Sequence, residues 1–238
     1  MSTSPSQPLS PTAERLAAIH ERIEAALARS GRQAGSVELV AVAKTATATT
    51  LREAWDAGHR RFGHNRVERL EEHRLVLPEA IWHLLGPLQG KKVRRAIAVA
   101  DVFEAVGEAK VVERLARRLE EEGHSKAFPV FVQVNLAPED GRYGCPISEL
   151  EALLALLAET PQLHTAGLMT IAPLGVSGDE LRPLFRALRQ RFEQAVQSGE
   201  LAPHAHLSMG MSGDYETAVE EGATLVRVGR AIFPLAAS

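Results

Sequence analysis

Short apolar segments alternate with longer amphipathic segments along most of the chain. The apolar segments show little hydrophobic–polar alternation, which is typical of strands buried on both faces of a parallel sheet. Strands are predicted near residues 37–43, 61–63, 82–85, 102–105, 129–135, 165–169, 206–208 and 225–228. The amphipathic segments predict helices near residues 48–58, 65–77, 88–100, 108–122, 147–159, 179–198 and 213–221.

This order of elements predicts an α/β fold. Eight strands joined by helices within about 200 residues favour a closed (β/α)8 barrel, or TIM barrel. An open, doubly wound sheet is the alternative. An extra N-terminal helix is also predicted, because Ser10 and Pro11 form a favourable helix start. The apolar residues Leu16, Ile19 and Ile23 then recur at helical spacing.

Composition predicts a soluble, cytoplasmic protein. Of 238 residues, 45% are hydrophobic and 24% charged, and the net charge of −3 gives no reason to expect nucleic-acid binding. Cys145 is the only cysteine, so no intrachain disulfide can form and a reducing compartment is expected. No apolar run approaches the roughly 18 residues that span a membrane. Residues 1–12 lack the regions of a signal peptide and are expected to be a disordered tail, with one domain at 13–238.

A lysine ends the first predicted strand, in the stretch VELVAVAKT. Lys44 shares a strand face with Val40 and Val42, and in a barrel it would stand where the βα loops carry the chemistry. One interpretation is a lysine that extends from a strand end into water. The other is a partly desolvated amine, able to react with a carbonyl compound.

The last predicted strands end in residues suited to an anion. Val226 and Val228 suit the face that packs on helices, so Arg227 is expected to point into the barrel mouth. Gly229 and Arg230 follow it, and glycine lets backbone amides approach a ligand closely. Ser212 precedes a predicted helix, where it is either a helix N-cap or a phosphate ligand. A lysine facing such a phosphate site would suit a phosphorylated aldehyde.

Six stretches match one known family, in order and at its spacing, from about residue 37 to residue 233. They are LVAVAKT, RFGHNRVE, WHLLGPLQGKKVR, VQVNLAPEDGRYGC, GLMTIAP and LSMGMSGDYETAVEEGATLVRVGRAIF. On these motifs the chain resembles the pyridoxal phosphate homeostasis proteins, which are single-domain relatives of the N-terminal barrel of alanine racemase. Six ordered matches make the resemblance specific.

The resemblance implies a cofactor, pyridoxal 5′-phosphate (PLP), and a role for each matched residue. Lys44 corresponds to the lysine that holds PLP as an internal aldimine, and Asn65 to an asparagine of the cofactor pocket. Ser212, Gly229 and Arg230 correspond to phosphate-binding positions, the last two through their amides.

Arg227 corresponds to the arginine that faces the pyridine nitrogen of the cofactor. A guanidinium there disfavours protonation of the ring, and an unprotonated ring is a weaker electron sink. The sequence departs from the family pattern at His64, Arg66, Arg142 and the pair Gly90–Lys91. These departures leave the cofactor residues intact but put details of secondary binding in doubt.

The expected function is reversible PLP binding in vitamin B6 homeostasis, without catalytic turnover, by a monomer that passes PLP to apo-enzymes. A PLP-dependent amino-acid racemase is the alternative, and an imine-forming lyase of the aldolase type is a third interpretation. Against the racemase, only five residues follow Phe233, and the only tyrosines are Tyr143 and Tyr215. No metal site is expected, because the pair His204 and His206 has no supporting ligand cluster.

Overall fold

Eight parallel strands close into a barrel, with helices packed around the outside. The computed structural model describes residues 9–137, 141–173, 175–176 and 178–235. The barrel strands are β1 (Glu38–Val42), β2 (Arg61–His64), β3 (Ile81–Leu84), β4 (Val102–Val106), β5 (Phe128–Asn135), β7 (Leu163–Met169), β8 (His206–Ser208) and β9 (Leu225–Val228). A two-residue strand, β6 (Cys145–Pro146), pairs with the end of β5.

The strand pairing closes the sheet on itself. Each barrel strand pairs in parallel with the next, β4 pairs with β5, and β9 returns to pair with β1. Val40 of β1 lies opposite Arg227 of β9 in this last pairing. The predicted (β/α)8 barrel is therefore confirmed, and the open doubly wound sheet is wrong.

Within the described residues, seven helices join the strands, and the N-terminal helix takes the eighth place in the outer ring, where it packs against α8 and α2. The helices are α1 (Pro11–Arg29), α2 (Ala48–Asp56), α3 (Val67–Val76), α4 (Val93–Val99), α5 (Ala109–Glu121), α6 (Leu150–Ala158), α7 (Arg182–Gln197) and α8 (Tyr215–Glu220). In the part of the chain that the structure describes, no helix combines the length and apolar character needed to cross a membrane.

The start of α1 follows the predicted capping pattern. The Ser10 side chain accepts a hydrogen bond from the Ala13 amide, and Pro11 occupies the first helical turn. Arginines of α1 then pair with acids of α8, as in the bridge from Arg29 to Glu220. Of the predicted tail, residues 1–8 lie outside the described residues, while α1 begins within the last few predicted tail residues. The single domain at 13–238 stays a prediction.

Two predicted helices begin later than expected, because their first residues belong to loops at the barrel mouth. The helix predicted from residue 65 begins at Val67, since Arg66 has an extended backbone. The helix predicted from residue 88 begins at Val93, after a 3-10 turn at Gly90–Lys92. Pro87, just before this turn, lines a cavity at the mouth.

Strand β4 departs from simple alternation. Val102 and Ala105 pack with Phe131 and Met169 in a small apolar cluster, whereas Phe103 and Val106 belong to the large core shared with the helices. The register against β5 shifts by one residue between Phe103 and Val106. Such a β-bulge turns side chains to the opposite face of a strand. Its consequence here is that Ala105 joins Val102 on the interior face while Val106 faces the helices. Glu104, between these positions, bonds to side chains of other barrel strands.

Candidate functional site

A cavity of about 660 Å³ lies at the carboxyl ends of the barrel strands. This is the end at which barrel enzymes carry their active sites, and the volume is typical of small-molecule sites. The cavity is lined by Val42, Lys44, Thr45, Asn65, Leu85, Gly86, Pro87, Ile171, Met211, Ser212, Gly213, Asp214, Arg227, Gly229 and Arg230. This lining brings together all six residues predicted for the cofactor site: Lys44, Asn65, Ser212, Arg227, Gly229 and Arg230.

Lys44 follows β1 at the cavity wall. The Ala43 amide donates to the carbonyl of Gly63, which extends the pairing of β1 and β2 to the residue before the lysine. Lys44 is exposed, which agrees with the first of the two interpretations, a lysine that extends from the strand end into water. The next residue, Thr45, donates its hydroxyl to the carbonyl of Phe233 and ties this loop to the chain after β9. Sequence analysis missed this tether, because a lone threonine in a loop carries no pattern.

The chain after β9 forms a single turn rather than a longer helix. The amides of Ile232 and Phe233 both donate to the carbonyl of Gly229. The amide of Gly229 donates to the Ser212 hydroxyl at 3.3 Å, so the two predicted phosphate-binding segments are already in contact. A Cβ at Gly229 would lie 3.2 Å from the carbonyl oxygen of Val42, a tight contact that favours glycine at this position. We call the amides of Gly229 and Arg230 with the Ser212 hydroxyl the cradle.

Ser212 is not the N-cap of α8, so the helix-cap interpretation of this residue is wrong. The N-cap of α8 is Asp214, two residues later. The Asp214 carboxylate accepts a hydrogen bond from the Met211 amide at 2.5 Å and so closes the loop that carries Ser212. Burial raises the pKa of Asp214, although this hydrogen bond and the charge of Arg227 oppose the shift. Asp214 was missed in the sequence because an acid at a helix start has an ordinary capping role.

Arg227 is buried in the cavity wall, and its side chain is only 4% exposed. Its guanidinium donates to the Ser208 hydroxyl at 2.5 Å and to the Thr170 carbonyl at 2.6 Å. Burial lowers the pKa of Arg227, while Glu104 and Asp214 raise it. Arg227 thus lines the cavity at the barrel mouth, where the sequence placed it. Its guanidinium is held by Ser208, Thr170 and Glu104, which lie on three other segments.

Glu104 is the acid that faces Arg227, and it is fully buried. Its carboxylate accepts the Ser208 hydroxyl at 2.7 Å and approaches the Arg227 guanidinium at 3.8 Å. The other oxygen lies 2.6 Å from Nδ1 of His83. Burial opposes ionisation of Glu104, but the hydrogen bond from His83, with Arg227 and Ser208, lowers its pKa overall. His83 is thus a hydrogen-bonded interior histidine.

Asn65 and Gly86 hold two mouth loops together. Asn65 follows β2 and is exposed at the cavity wall, and Gly86 follows β3. A Cβ added at Gly86 would lie 2.3 Å from the carbonyl oxygen of Asn65, closer than nonbonded atoms can approach. Only glycine allows this backbone approach. The sequence did not reveal this requirement for glycine, because a glycine before a proline predicts a turn but not which other loop lies against it.

Several histidines are buried in neutral form around the strands. Burial lowers the pKa of His64 to about 4, and the charges of His73, Arg69 and Lys44 add to the shift. His64 accepts the Arg66 amide on Nδ1 and stands beside Asn65. Burial also lowers the pKa of His59 to about 4, although a hydrogen bond to the Arg61 carbonyl opposes this shift.

These shifts predict a loss of stability on acidification. A buried histidine whose pKa is lowered in the folded state contributes fully to stability above its unfolded pKa of about 6.5. As pH falls toward the folded pKa of about 4, this contribution is lost, because the unfolded chain binds a proton that the folded chain does not. We expect the free energy of unfolding to fall by a few kcal/mol between about pH 7 and pH 4.5. Urea denaturation across this range measures it.

The variant His59→Gln should flatten this pH dependence, because an amide can still donate to the Arg61 carbonyl but does not titrate. His124→Gln, at an exposed position, is the matched control and should leave the slope unchanged. An identical slope in His59→Gln and the wild type would contradict the assignment.

Smaller hollows also lie among the described residues. A side cavity of about 220 Å³ shares Leu85, Pro87 and Ile171 with it and is also lined by Arg142 and Tyr143. A groove of about 450 Å³ lies at the opposite end of the barrel, between α1 and the start of β2. Its position at the amino ends of the strands is not where barrels place their chemistry.

No group of three or more metal-ligating side chains is found among the described residues. His204 stacks on His164, with ring centroids 6.2 Å apart, and His206 lies 3.4 Å from the Thr224 hydroxyl. The two histidines considered as metal ligands in the sequence therefore have other neighbours.

Comparison with known proteins identifies the family. The model of the alanine racemase N-terminal domain matches residues 15–236. The human pyridoxal phosphate homeostasis protein is 35% identical over 231 residues, covering 92% of this chain and 84% of the human one. The protein of that name from Escherichia coli K12 is 36% identical over 230 residues, covering 93% of this chain and 95% of its own. The chain belongs to the pyridoxal phosphate homeostasis protein family.

Solved structures agree with the family assignment. PipY of Synechococcus elongatus, solved with PLP bound, is 37% identical with a TM-score of 0.79 and covers 93% of this chain and 99% of its own. The alanine racemase of Corynebacterium glutamicum, at 18% identity and a TM-score of 0.66, shows the shared fold alone. The resemblance predicted from the six motifs is confirmed.

Proposed function

We propose that this protein binds PLP reversibly through Lys44 and serves intracellular PLP homeostasis without catalytic turnover. One observation carries the proposal: a lysine amine and an amide-rich cradle line the same cavity. An aldehyde that also bears a phosphate needs both groups, the amine for the carbonyl carbon and the donors for the phosphate. The names of the relatives and the PLP-bound PipY support this ligand.

The residues of the cavity fit PLP chemically. Gly229 and Arg230 offer backbone amides, and Ser212 lies within hydrogen-bond distance of one of them. Arg227 contributes a buried cation in the same wall, and Asn65 lines the same cavity as Lys44. When bound, PLP would supply an aldehyde for covalent attachment to an amine. In this role Lys44 holds the aldehyde carbon, the cradle holds the phosphate, and Arg227 disfavours a proton on the ring nitrogen.

The positions of the two tyrosines support the absence of turnover. A racemase needs a second proton carrier opposite the lysine. Tyr215 is 2% exposed in the helical core, and the Tyr143 hydroxyl accepts the Gly107 amide at the side cavity. Neither tyrosine is among the described residues that line the main cavity. We further propose a cytoplasmic monomer whose partners are PLP and apo-enzymes that use PLP.

Uptake of PLP by the purified protein tests the proposal. After incubation with PLP and gel filtration, the protein should keep a visible absorbance, and borohydride should fix the pyridoxyl group on Lys44, as mapped by peptide mass spectrometry. Addition of L-alanine should give no D-alanine. A protein that stays colourless with excess PLP would refute the binding role, and rapid racemisation would refute the absence of turnover.

A further inference from the structure

Four polar side chains form a continuous chain from the cavity wall into the barrel. Arg227 donates to the Ser208 hydroxyl, Ser208 donates to Glu104, and Glu104 meets Nδ1 of His83. All four side chains are at most 4% exposed. They come from β9, β8, β4 and β3, so the chain crosses the barrel interior.

The proton positions in this chain follow from the donors and acceptors. Ser208 has one hydrogen and gives it to a carboxylate that can only accept, so the hydroxyl oxygen is left to accept from Arg227. The same reasoning places a hydrogen on Nδ1 of His83. Nε2 of His83 is buried with no hydrogen-bond partner among the described residues. His83 therefore donates from Nδ1 to one oxygen of Glu104, and the other oxygen of Glu104 faces the charge of Arg227.

We infer that Glu104, acting through Ser208, is the positioning residue that fixes the Arg227 guanidinium as a cation in the cavity wall. A buried arginine without a counter-ion would turn toward water or lose favourable contacts. Glu104 lies on the interior face of β4 with Val102, as strand alternation requires, and the bulge adds Ala105 to that face. The role toward PLP rests on the proposed function, whereas the link between Glu104 and Arg227 does not.

A double-mutant cycle on the protein without PLP tests the link. Glu104→Gln leaves a buried cation unpaired and should lower Tm by roughly 6–20 °C. The double variant Glu104→Gln with Arg227→Gln should be clearly more stable than the two separate effects predict, since both charges are gone. Additive effects would overturn the inference.

Two variants keep the test informative if Glu104→Gln fails to fold. Ser208→Ala keeps both charges but removes the bridging hydroxyl, so it should lower Tm less than Glu104→Gln. Glu38→Gln is the matched control: Glu38 is also on a barrel strand and pairs with Arg61 at 2.7 Å, but at the opposite end of the barrel.

In the PLP-loaded protein, the pH dependence of the visible absorption of the ligand distinguishes a positioning role of Glu104 from a purely structural one. Removal of the Glu104 charge disfavours nearby cations, so the pH midpoint of the bound ligand's visible absorption should fall by about 0.3 units or more in Glu104→Gln. Ser208→Ala, which keeps both charges, should shift it less than Glu104→Gln does, and Glu38→Gln should not shift it. An unchanged midpoint in Glu104→Gln would overturn the positioning role. A wild type that takes up no PLP would refute the proposed function, while the cycle would still decide the link.

Discussion

Replacement of Lys44 by alanine is expected to abolish the covalent attachment of PLP. The cradle and Arg227 remain in place in this variant, so PLP should still bind by its phosphate but should leave during gel filtration. The fraction fixed by borohydride should fall from near complete to background, as measured by intact-protein mass spectrometry. No other residue described in the cavity lining carries a primary amine.

Lys126→Ala is the matched control for this experiment. Lys126 is an exposed lysine that precedes β5, at the end of the barrel opposite the cavity. The Lys126→Ala variant should bind PLP as the wild type does. Its circular dichroism spectrum should match that of Lys44→Ala. Equal fixation of PLP in Lys44→Ala and the wild type would mean that another lysine carries the ligand.

Replacement of Gly86 by alanine is expected to damage both stability and binding. The new Cβ would meet the Asn65 carbonyl at 2.3 Å, and neither backbone can yield without moving its loop. Overpacking of this kind costs about 1–3 kcal/mol, which lowers Tm by roughly 2–12 °C in a protein of this size. Displacement of Asn65 from the cavity wall should also weaken PLP binding by about tenfold or more.

Gly90→Ala is the control that separates the steric clash at Gly86 from the general effect of replacing a glycine by alanine. Gly90 lies four residues later in the same connection, and its Cβ would meet only the end of the Arg114 side chain at 3.3 Å. Calorimetry should place its Tm within about 2 °C of the wild type. If Gly86→Ala and Gly90→Ala have the same Tm and the same affinity for PLP, the close approach of the two loops does not require glycine at residue 86.

The sequence predicted the barrel because its signal is local and repeated. The bounds of β8 and β9 agree with the prediction, since short apolar segments between helices have few alternative structures. The site residues after β1 and β9 could be predicted for a related reason. Strand parity placed Arg227 opposite the two valines of β9, and the barrel rule placed Lys44 at the mouth.

The missed residues depend on contacts between distant segments. Simple alternation in β4 would put Val102, Glu104 and Val106 on one face, but the bulge sends Val106 to the helices. A bulge depends on the partner strand, so a single-strand pattern does not reveal it. The same holds for Thr45, whose partner Phe233 is 188 residues away.

The two halves of the cavity come from opposite ends of the chain. Lys44 belongs to the first connection of the barrel, while Arg227, Gly229 and Arg230 are among its last residues. The ribosome therefore makes the amine well before the anion-binding turn. Because β9 also closes the barrel against β1, a nascent chain that still lacks β9 has neither a sealed barrel nor a complete pocket, and PLP cannot serve as a template for the early steps of its folding.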